Sequence, residues 1–349
     1  MVRKDIRSKM EFWELFGGKG KTFDINGEVV NPDEETQIEP VEETQVEQKE
    51  TESPLYRPIT FNDYIGQEKS KEILKAFITG TKKYKTPFPH TIIYGNAGCG
   101  KTTLARIIAN EVGVKMIELL AQDINVEEFL SSISEVNGGI IFLDEVHRMK
   151  RDTVEQLYSL MEDFMWNGSP IIPFTLIGAT TEIGEIIKTR KPFYDRHKII
   201  IELEDYTEED MYKIIDKYID RTYPDELKVE ARLYCIAENS RFTPRKAIRL
   251  ADYLYYSDGT MANVLKNNNI IEKGYTTKDL KVLDYLNKIG KPIGIDCLAL
   301  YLDIPTVTFN YEVEPYLIKT GCISRTARGR IITSVGINVL KSLKKAKGV

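Results

Sequence analysis

The feature that most constrains this chain is a glycine-rich octapeptide, GNAGCGKT, at residues 95–102. It fits the pattern G-x-x-x-x-G-K-[ST] without substitution. The run before it, residues 91–94, is apolar enough for a short buried strand, and residues 103–110 repeat apolar side chains at helical spacing. Strand, glycine loop and helix in this order form the context in which such a loop cradles phosphates. The sequence therefore predicts a nucleoside triphosphate site.

The residue types of this loop each suit one part of a triphosphate. Glycines allow successive backbone N–H groups to turn inward on the β-phosphate, and the N-terminus of the following helix adds partial positive charge. Lys101 is placed to neutralise the β- and γ-phosphates, and the hydroxyl of Thr102 to hold Mg²⁺. The predicted nucleotide-binding residues of this segment are Gly95, Gly98, Gly100, Lys101, Thr102 and Thr103.

Composition excludes several classes of protein. At 349 residues the chain is long enough for two or three domains with their own cores. No apolar run approaches the length of a membrane span, and the first residues lack the apolar core of a signal peptide. The four cysteines are scattered without C-x-x-C spacing, and there are only three histidines. This argues against a zinc centre and for reduced thiols in the cytoplasm.

The net charge of −5 hides a contrast along the chain. Residues 33–52 hold nine acidic residues against one lysine, so the rest of the chain carries a net charge of +3. This mildly basic remainder is compatible with a nucleic-acid partner. The acidic segment, residues 31–53, contains almost nothing to bury, and we expect it to be a disordered linker.

A short aromatic segment, KMEFWELFGG at residues 9–18, precedes this linker. On a flexible tether it could dock into the groove of a partner protein, or it could pack on the ATPase core of its own chain. Both alternatives stay open at this point. The nearby GKGKT at residues 18–22 is not a second phosphate loop, because the position of the first glycine falls on Leu15 and no strand precedes it.

Three regions follow the extension of residues 1–53. Residues 54–204 alternate apolar strand-like runs with helical or loop segments, which is typical of βαβ units with a parallel sheet covered by helices. Residues 206–258 look entirely helical and lie in a second region, residues 205–274. The third region, residues 275–349, shows helix, turn, helix and a short arginine-rich hairpin from about residue 276 to 345. We therefore predict an α/β P-loop domain, a helical lid and a winged helix. The strand-like runs are residues 91–94, 139–143, 174–178 and 198–202.

Two strand ends supply candidate residues for hydrolysis. The apolar run at residues 139–143 ends in Asp144 and Glu145, whose side chains leave the strand in different directions. Asp144 can hold the Mg²⁺ shell, while Glu145 can polarise a water for in-line attack on the γ-phosphate. The strand that starts near residue 174 ends in two hydroxyls. Thr180 is our candidate for contacting the attacking water or the γ-phosphate, and Thr181 is the alternative.

Taken together, these segments resemble the AAA+ class of ATPases, and within it the RuvB family of Holliday-junction branch-migration motors. The resemblance is carried by RPITFNDYIGQE at residues 57–68, DEVHRM at 144–149, PFTLIGATT at 173–181 and SRFTPR at 240–245. It includes EPYLIKTGCISRTARGR at residues 314–330, a motif that AAA+ proteins at large do not share. The resemblance extends from about residue 57 to the C-terminus.

The resemblance implies ATP as the nucleotide and further site residues. Tyr64 and Ile65 would contact adenine, and Arg245 would be the second sensor, reading the nucleotide from the helical lid. Arg196 would be the arginine finger that reaches the γ-phosphate of the neighbouring subunit, with Arg190 as the alternative. The family also implies a hexameric ring that translocates duplex DNA at four-way junctions.

The chain departs from the family in two places. Where the family carries a long β-hairpin that docks RuvA, only residues 164–172 span the gap. The extension of residues 1–53 is foreign to the family and could supply a substitute docking element. Whether a RuvA-like junction-binding protein is a partner is therefore open.

The C-terminal region is the candidate DNA-binding module. Helices are expected at residues 277–289, 295–302 and 308–320, and the last of these would normally enter a major groove. It carries Glu312 and Glu314, which DNA phosphates would repel, so we do not expect this face to read bases. The hairpin suits phosphate contacts that are independent of base sequence. Its candidate DNA-binding residues are Arg325, Arg328 and Arg330.

Cys99 lies within the phosphate loop, beside Lys101 and a helix N-terminus, both of which lower the pKa of a thiol. One hypothesis is that alkylation or oxidation of Cys99 blocks ATP binding. The alternative is that cysteine merely fills a permissive position, where burial silences the thiol.

Three functions fit these observations. The first is a ring motor that hydrolyses ATP to drive branch migration in recombination and repair. The second is an AAA+ loader or remodeller that places a clamp or a helicase on DNA, because fold class alone does not fix function. The third is a DNA-binding adaptor with an inactive ATPase, against which the intact Lys101, Asp144 and Glu145 argue. Motor and loader both require oligomers, since each ATP site needs a neighbouring subunit.

Overall fold

The computed structural model describes residues 56–223, 229–257 and 260–348. These described residues all belong to one compact unit. The predicted linker of residues 31–53 and the aromatic segment of residues 9–18 lie outside the described residues. Within the described ranges, no helix has the length and apolar character needed to cross a membrane.

A parallel sheet forms the centre of the N-terminal region. The strands described there are β1 Thr91–Tyr94, β2 Met116–Leu120, β3 Ile140–Asp144, β4 Met165–Trp166, β5 Ser169–Pro170, β6 Thr175–Thr180 and β7 Ile199–Glu202. Five of them pair in the order β2-β3-β6-β1-β7, all in parallel. Tyr94 at the end of β1 lies opposite Thr180 at the end of β6. The carboxyl ends of the strands therefore meet at one edge.

The predicted strand-like runs coincide with β1, β3, β6 and β7 to within one or two residues. This confirms the α/β class with a parallel sheet. β2 was not predicted, because it lies at the sheet edge and only half-buried and exposed positions follow one another along it. Such a strand lacks the continuous apolar run that reveals a central one.

Helices cover both faces of the sheet. Successive residues of β3 point to opposite faces, so that Phe142 lies in one apolar cluster while Ile141 and Leu143 lie in the other. The first cluster includes side chains of helices α1 (Glu68–Tyr84) and α2 (Lys101–Val112). The second includes side chains of α3 (Val126–Val136) and α4 (Arg151–Glu162). The helices here are α1 Glu68–Tyr84, α2 Lys101–Val112, α3 Val126–Val136, α4 Arg151–Glu162, α5 Ile183–Thr189 and α6 Lys191–Asp195.

A helical lid follows the sheet. Its helices are α7 Glu208–Thr222, α8 Glu230–Asn239, α9 Pro244–Tyr256 and α10 Met261–Asn267. The first three agree with the helical stretch predicted for residues 206–258, whereas α10 follows it and was not predicted. α7 begins at a capping box formed by Thr207 and Asp210. Ile215 and Leu250 of the lid belong to the same apolar cluster as α1 and α2, so the lid packs directly on the ATPase domain.

The C-terminal region is a winged helix with its own apolar core, which contains Leu283, Phe309 and Leu317. A π-helical turn, Phe309–Val313, joins two short helices, so the predicted helix of residues 308–320 is irregular. The elements are β8 Ile270–Glu272, β9 Tyr275–Thr276, α11 Thr277–Ile289, α12 Ile295–Leu302, α13 Thr306–Thr308, α14 Glu314–Lys319, β10 Ile323–Thr326, β11 Gly329–Ile332 and α15 Ser334–Lys347. The antiparallel pair β10–β11 is the wing.

Arg241, which follows α8 of the lid, joins the lid to the winged helix. Its guanidinium forms an ion pair with the fully buried carboxylate of Asp279. The same group donates to the carbonyl oxygens of Gly274 (2.7 Å) and Glu312 (2.8 Å), and it lies 4.6 Å from the ring centroid of Tyr316. A buried ion pair of this kind fixes the relative position of the segments that supply its partners.

The hairpin between α4 and β6 is as short as the sequence indicates. β4 and β5 have two residues each, and they pair Met165 with Pro170 and Trp166 with Ser169. This segment is therefore a compact turn against the ATPase domain.

Two histidines are buried in their neutral form beside the sheet. Nδ1 of His90 accepts a hydrogen bond from the backbone N–H of Leu176 (2.8 Å), and Nε2 donates to the carbonyl oxygen of Met161 (3.1 Å). Only the neutral ring can make both bonds. Burial lowers the pKa of His90 to about 4 and that of His197 to about 3.

We predict that the protein loses stability between pH 7.5 and pH 5.5. Unfolded histidines take up protons near pH 6.5 while the two buried ones stay neutral, so the unfolding free energy falls by about 1.4 kcal/mol per histidine at pH 5.5. Urea unfolding followed by circular dichroism should show a fall of about 3 kcal/mol. The variant His90→Gln keeps a donor and an acceptor and should show about half this pH dependence. An equal pH dependence of the unfolding free energy in the parent and in His90→Gln would contradict the assignment of His90 as a buried, neutral histidine.

Candidate functional site

A cavity of about 530 Å³ lies between the loop after β1, the end of β3 and the lid. It brings together most of the residues that the sequence predicts for nucleotide binding and hydrolysis. In the described part of the chain, Gly95, Thr180 and Arg196 are not among its lining residues. The predicted residues that line it are Tyr64, Ile65, Gly98, Gly100, Lys101, Thr102, Thr103, Asp144, Glu145 and Arg245.

The loop after β1 curls around the ammonium group of Lys101. Its Nζ donates to the carbonyl oxygens of Gly95 (2.9 Å) and Asn96 (3.1 Å). Gly100 precedes α2 with φ at 101°, a conformation that favours glycine, and a Cβ there would lie 2.8 Å from the Tyr64 hydroxyl. Glycine at this position therefore allows the first turn of α2 to start directly at the cavity wall.

Two buried tyrosines support the loop from below. The Tyr206 hydroxyl donates to the carbonyl oxygen of Cys99 (3.0 Å). The Tyr64 hydroxyl donates to the carbonyl oxygen of Gly100 (3.4 Å). Burial raises the pKa of Tyr206 to about 12 and holds the pKa of Tyr64 well above its ordinary value. Both hydroxyls therefore stay protonated and act as donors. Tyr64 lines the cavity and also braces the phosphate loop.

Cys99 is only 6% exposed. Burial raises the pKa of its thiol and outweighs the opposing effect of Lys101. The expectation of a lowered pKa at Cys99 is therefore wrong, because desolvation disfavours the thiolate more strongly than the neighbouring ammonium stabilises it.

Apolar side chains form part of the cavity wall, with Ile65 ahead of α1, Ile214 on α7 and Ile248 on α9. Asp63 and Lys217 add polar groups, with Nζ 3.8 Å from Oδ1. An apolar wall with a few polar groups suits a nucleotide base.

The lid also reaches the phosphate loop itself. Arg245 is the second residue of α9, after Pro244 at the first position. A Cβ placed on Gly98 would lie 3.0 Å from the Cβ of Arg245, so the start of α9 touches the loop. Arg245 is exposed and lines the cavity. The guanidinium of Arg245 is therefore available to an anionic ligand bound beside the phosphate loop.

The two carboxylates after β3 point into this cavity from a strained turn. Asp144 ends the strand, and Glu145 follows with φ at 55°, which is uncommon for a residue with a side chain. The backbone N–H of Glu145 donates to Oδ1 of Asp144 (3.0 Å). Strain of this kind is concentrated at functional sites.

His147 connects Glu145 to Thr180, a role that the sequence analysis did not find. Its ring is 8% exposed, with Nε2 lying 3.3 Å from the Glu145 carboxylate and Nδ1 lying 3.0 Å from Oγ1 of Thr180. Thr180 is fully buried and approaches the cavity residues through this histidine. The segment DEVHRM contained the signal, but sequence spacing does not show which way a ring after a strand end turns.

Both candidate arginine fingers are anchored within the chain. Arg196 pairs with the Glu162 carboxylate (2.5 Å) and lies over the ring of Tyr158, 4.6 Å from its centroid. Arg190 donates to the carbonyl oxygens of Val146 (2.7 Å) and Met149 (2.6 Å), and it thereby holds the turn that follows Glu145. Both side chains are half-buried, and 24% of the surface of the Arg196 side chain is exposed.

A buried carboxylate ties two wing arginines to α14. Both oxygens of Glu314 accept hydrogen bonds from Arg325 (3.1 and 2.8 Å) and from Arg330 (2.6 and 3.3 Å). Burial by itself raises the pKa of Glu314, but the hydrogen bonds from Arg330 and Arg325 outweigh it and lower the pKa. The Glu314 carboxylate is therefore paired inside the domain rather than presented on its surface. Glu312 and Arg328 are exposed.

The parallel sheet, the phosphate loop, the lid and the winged helix define a P-loop ATPase of the AAA+ class. A family profile described as "Holliday junction DNA helicase RuvB P-loop domain" matches residues 56–203, and one described as "RuvB C-terminal winged helix domain" matches residues 272–341. The chain belongs to the RuvB family.

Curated relatives and solved structures agree with this membership. The "Holliday junction branch migration complex subunit RuvB" of Campylobacter fetus is 37% identical over 79% of this chain and 86% of its own length. The protein of the same name in Mycoplasma genitalium is 31% identical over 80% of this chain and 95% of its own. The Thermotoga maritima RuvB Holliday junction branch migration motor matches with a TM-score of 0.69 and 33% identity, over 82% of this chain and 98% of that one.

We predict that N-ethylmaleimide at pH 7 labels the native protein at Cys297, which is exposed, and spares Cys99, which is buried. Labelling of Cys99 should be at least about tenfold slower, because only transient opening exposes its thiol. Peptide mapping by mass spectrometry over time measures both rates, with urea-unfolded protein as the control. Equal labelling rates of Cys99 and Cys297 in the native protein would support the hypothesis that the Cys99 thiol is activated.

Proposed function

We propose that this protein is an ATP-hydrolysing ring motor that moves duplex DNA and drives branch migration at four-way (Holliday) junctions. The observation that carries the proposal is the cavity in which the phosphate loop, the carboxylates after β3 and Arg245 of the lid meet, in a member of the RuvB family. As a P-loop ATPase of this family the chain binds nucleotide. Its relatives are named as subunits of the Holliday junction branch migration complex, and the chain aligns with most of their length.

The residues of the cavity fit ATP with Mg²⁺. Lys101 exchanges its two carbonyl acceptors for oxygens of the β- and γ-phosphates. Thr102 and Asp144 are hard oxygen donors that line the same cavity, as Mg²⁺ requires. Among the described residues no group of three His, Cys, Asp or Glu side chains could hold a metal. Mg²⁺ bound here would neutralise phosphate charge.

Glu145 acts as the general base in this proposal. It polarises a water and takes one of its protons while the water oxygen bonds to the γ-phosphorus and the bond to the β-phosphate oxygen breaks. Thr180 belongs to the site through His147, which it contacts at 3.0 Å. Tyr64 and Ile65 hold the adenine side, and Arg245 senses the nucleotide from the lid.

Arg196 completes the ATP site of a neighbouring subunit. It lies outside the lining of its own cavity among the described residues, and it is held ready by Glu162 and Tyr158. A cation supplied in trans stabilises the charge that develops on the transferred phosphoryl group. A site that needs two subunits requires an oligomer, and we propose a hexameric ring.

The wing contacts DNA phosphates through its arginines. Arg328 is exposed at the tip and free to reach a phosphate, whereas Arg325 and Arg330 are shared with Glu314 and shape the wing. The contact does not depend on base sequence, which suits a motor that must pass along any duplex.

We further propose four regions with distinct tasks and a cytoplasmic location. Residues 1–53 are an extension, residues 54–204 the ATPase domain, residues 205–274 the lid and residues 275–349 the DNA-binding winged helix. Free cysteines support the location. A RuvA-like partner would need a docking element other than the short β4–β5 turn. That shortness also favours the alternative of a loader that places a clamp or a helicase on DNA.

We predict that the purified protein dissociates a synthetic four-way DNA junction when ATP is supplied, and that Glu145→Gln abolishes this activity. Loss of the base should lower ATP turnover by about 10²-fold or more while leaving nucleotide affinity near the parental value. Junction products on native gels and phosphate release measure the two effects.

The matched control is Glu118→Gln, which changes another carboxylate of the cavity wall, one paired with Arg106 (2.8 Å) on the surface. It should retain most of the turnover. ATP turnover by the parent without any junction processing, at every DNA structure tried, would contradict the motor and favour the loader.

We predict different defects for two wing arginines. Arg328→Ala should weaken duplex DNA binding and reduce its salt dependence by about one phosphate contact, with unchanged thermal stability. Arg330→Ala should destabilise the winged helix by about 1–3 kcal/mol, because it removes one partner of the buried Glu314. Fluorescence anisotropy at several salt concentrations and calorimetry separate the two. Unchanged DNA binding in Arg328→Ala would contradict the role of the wing.

A further inference from the structure

A hydrogen bond joins the winged helix to the ATPase domain beside the candidate base. Tyr311, on the π-helical turn Phe309–Val313, donates from its hydroxyl to Oε1 of Glu182 (2.8 Å). Glu182 follows β6 directly after the two threonines. Its backbone N–H donates to Oγ1 of Thr180 (2.9 Å). A side chain of the DNA-binding domain therefore contacts the segment that carries the sensor position.

Glu182 is also within reach of the histidine that contacts Glu145. Nε2 of His147 lies 3.3 Å from the Glu145 carboxylate and 4.0 Å from the Glu182 carboxylate. Nδ1 of the same ring lies 3.0 Å from the Thr180 hydroxyl, so Nε2 carries the single ring proton when that hydroxyl donates to Nδ1. One N–H then faces two carboxylates, and it can hydrogen-bond well to only one of them.

We propose that Tyr311 positions the base Glu145 by holding the carboxylate of Glu182 away from the histidine that lies between the two. The proposal rests on the proposed function, in which Glu145 is the base. While Tyr311 occupies Oε1 of Glu182, His147 donates to Glu145 and keeps its carboxylate in one orientation. Without that hydroxyl, Glu182 competes for the same N–H, and Glu145 loses its restraint.

The charges around this contact agree with the assignment. The hydrogen bond from Tyr311 is the main reason why the pKa of Glu182 lies below its ordinary value. Glu182 is therefore a charged competitor for the histidine N–H rather than a neutral one. A general base contributes fully only when its oxygen is held in line with the proton it takes, so a loose carboxylate lowers kcat without changing nucleotide binding.

The test is steady-state ATP hydrolysis by the full chain without DNA, with kcat and KM measured separately. Tyr311→Phe removes one hydroxyl from an exposed ring and should lower kcat about fivefold with KM unchanged, as expected when only transition-state positioning is lost. In the Glu182→Ala background the same Tyr311→Phe change should have no effect, because the competing carboxylate is gone. A merely structural role of Tyr311 would give the same loss in both backgrounds.

Three further variants sharpen the readout. Lys319→Gln cuts a different contact of the winged helix, the ion pair with Asp205 (3.0 Å) at the start of the lid, and should leave kcat unchanged. His147→Gln retains an N–H donor and should keep more activity than His147→Ala. Thermal melting of each variant shows that the fold is intact.

Three results would overturn the proposal. These are a parental kcat in Tyr311→Phe, an equal loss in the Glu182→Ala background, or an equal loss in Lys319→Gln. If Glu145→Gln retained turnover, the assignment of the base would fail and this proposal with it. If Glu145→Gln were inactive while Tyr311→Phe kept the parental kcat, only the present proposal would fail.

Discussion

The parallel pairing of β1 with β6 and of β6 with β3 is the constraint on which the rest of the site depends. Because parallel strands end at the same edge, the phosphate loop after β1, the carboxylates after β3 and Thr180 of β6 come together there. Thr91 lies opposite Ile177, and Ile141 opposite Leu176. A shift of one residue in either pair would turn every side chain of a strand to the other face and scatter the site.

The winged helix is held to the rest of the chain by polar and charged contacts, some buried and some exposed. Arg241 and Asp279 lock the lid to the winged helix in a buried ion pair. The contact of the winged helix with the ATPase domain is more exposed, as in the hydrogen bond of Tyr311 to Glu182, and so is its ion pair between Lys319 and Asp205 at the start of the lid. Exposed polar contacts contribute little energy and rearrange readily. The winged helix is therefore held more firmly to the lid than to the ATPase domain, while the lid itself packs on that domain through an apolar cluster.

Much of the fold and of the nucleotide site could be predicted from the sequence, because both depend on local patterns. A glycine loop between an apolar strand and a helix can be recognised from sequence as a phosphate-binding loop. Once this loop is known, the apolar strand that ends in Asp144 and Glu145 can be recognised as the source of the hydrolytic carboxylates. Contacts between distant segments could not be predicted. The burial of Glu314 under two arginines, the bridge made by His147 and the silencing of Cys99 depend on packing that residue spacing does not encode.

The most direct test of the account mixes two inactive variants. Lys101→Ala disables the cavity of its own subunit, and Arg196→Ala disables the cavity of its neighbour. Each variant alone should hydrolyse ATP at about 1% of the parental rate or less. In mixed rings an Arg196→Ala subunit receives the intact arginine of a Lys101→Ala neighbour, so turnover should reappear on mixing. No recovery, in rings shown by mass spectrometry to contain both variants, would contradict a shared ATP site.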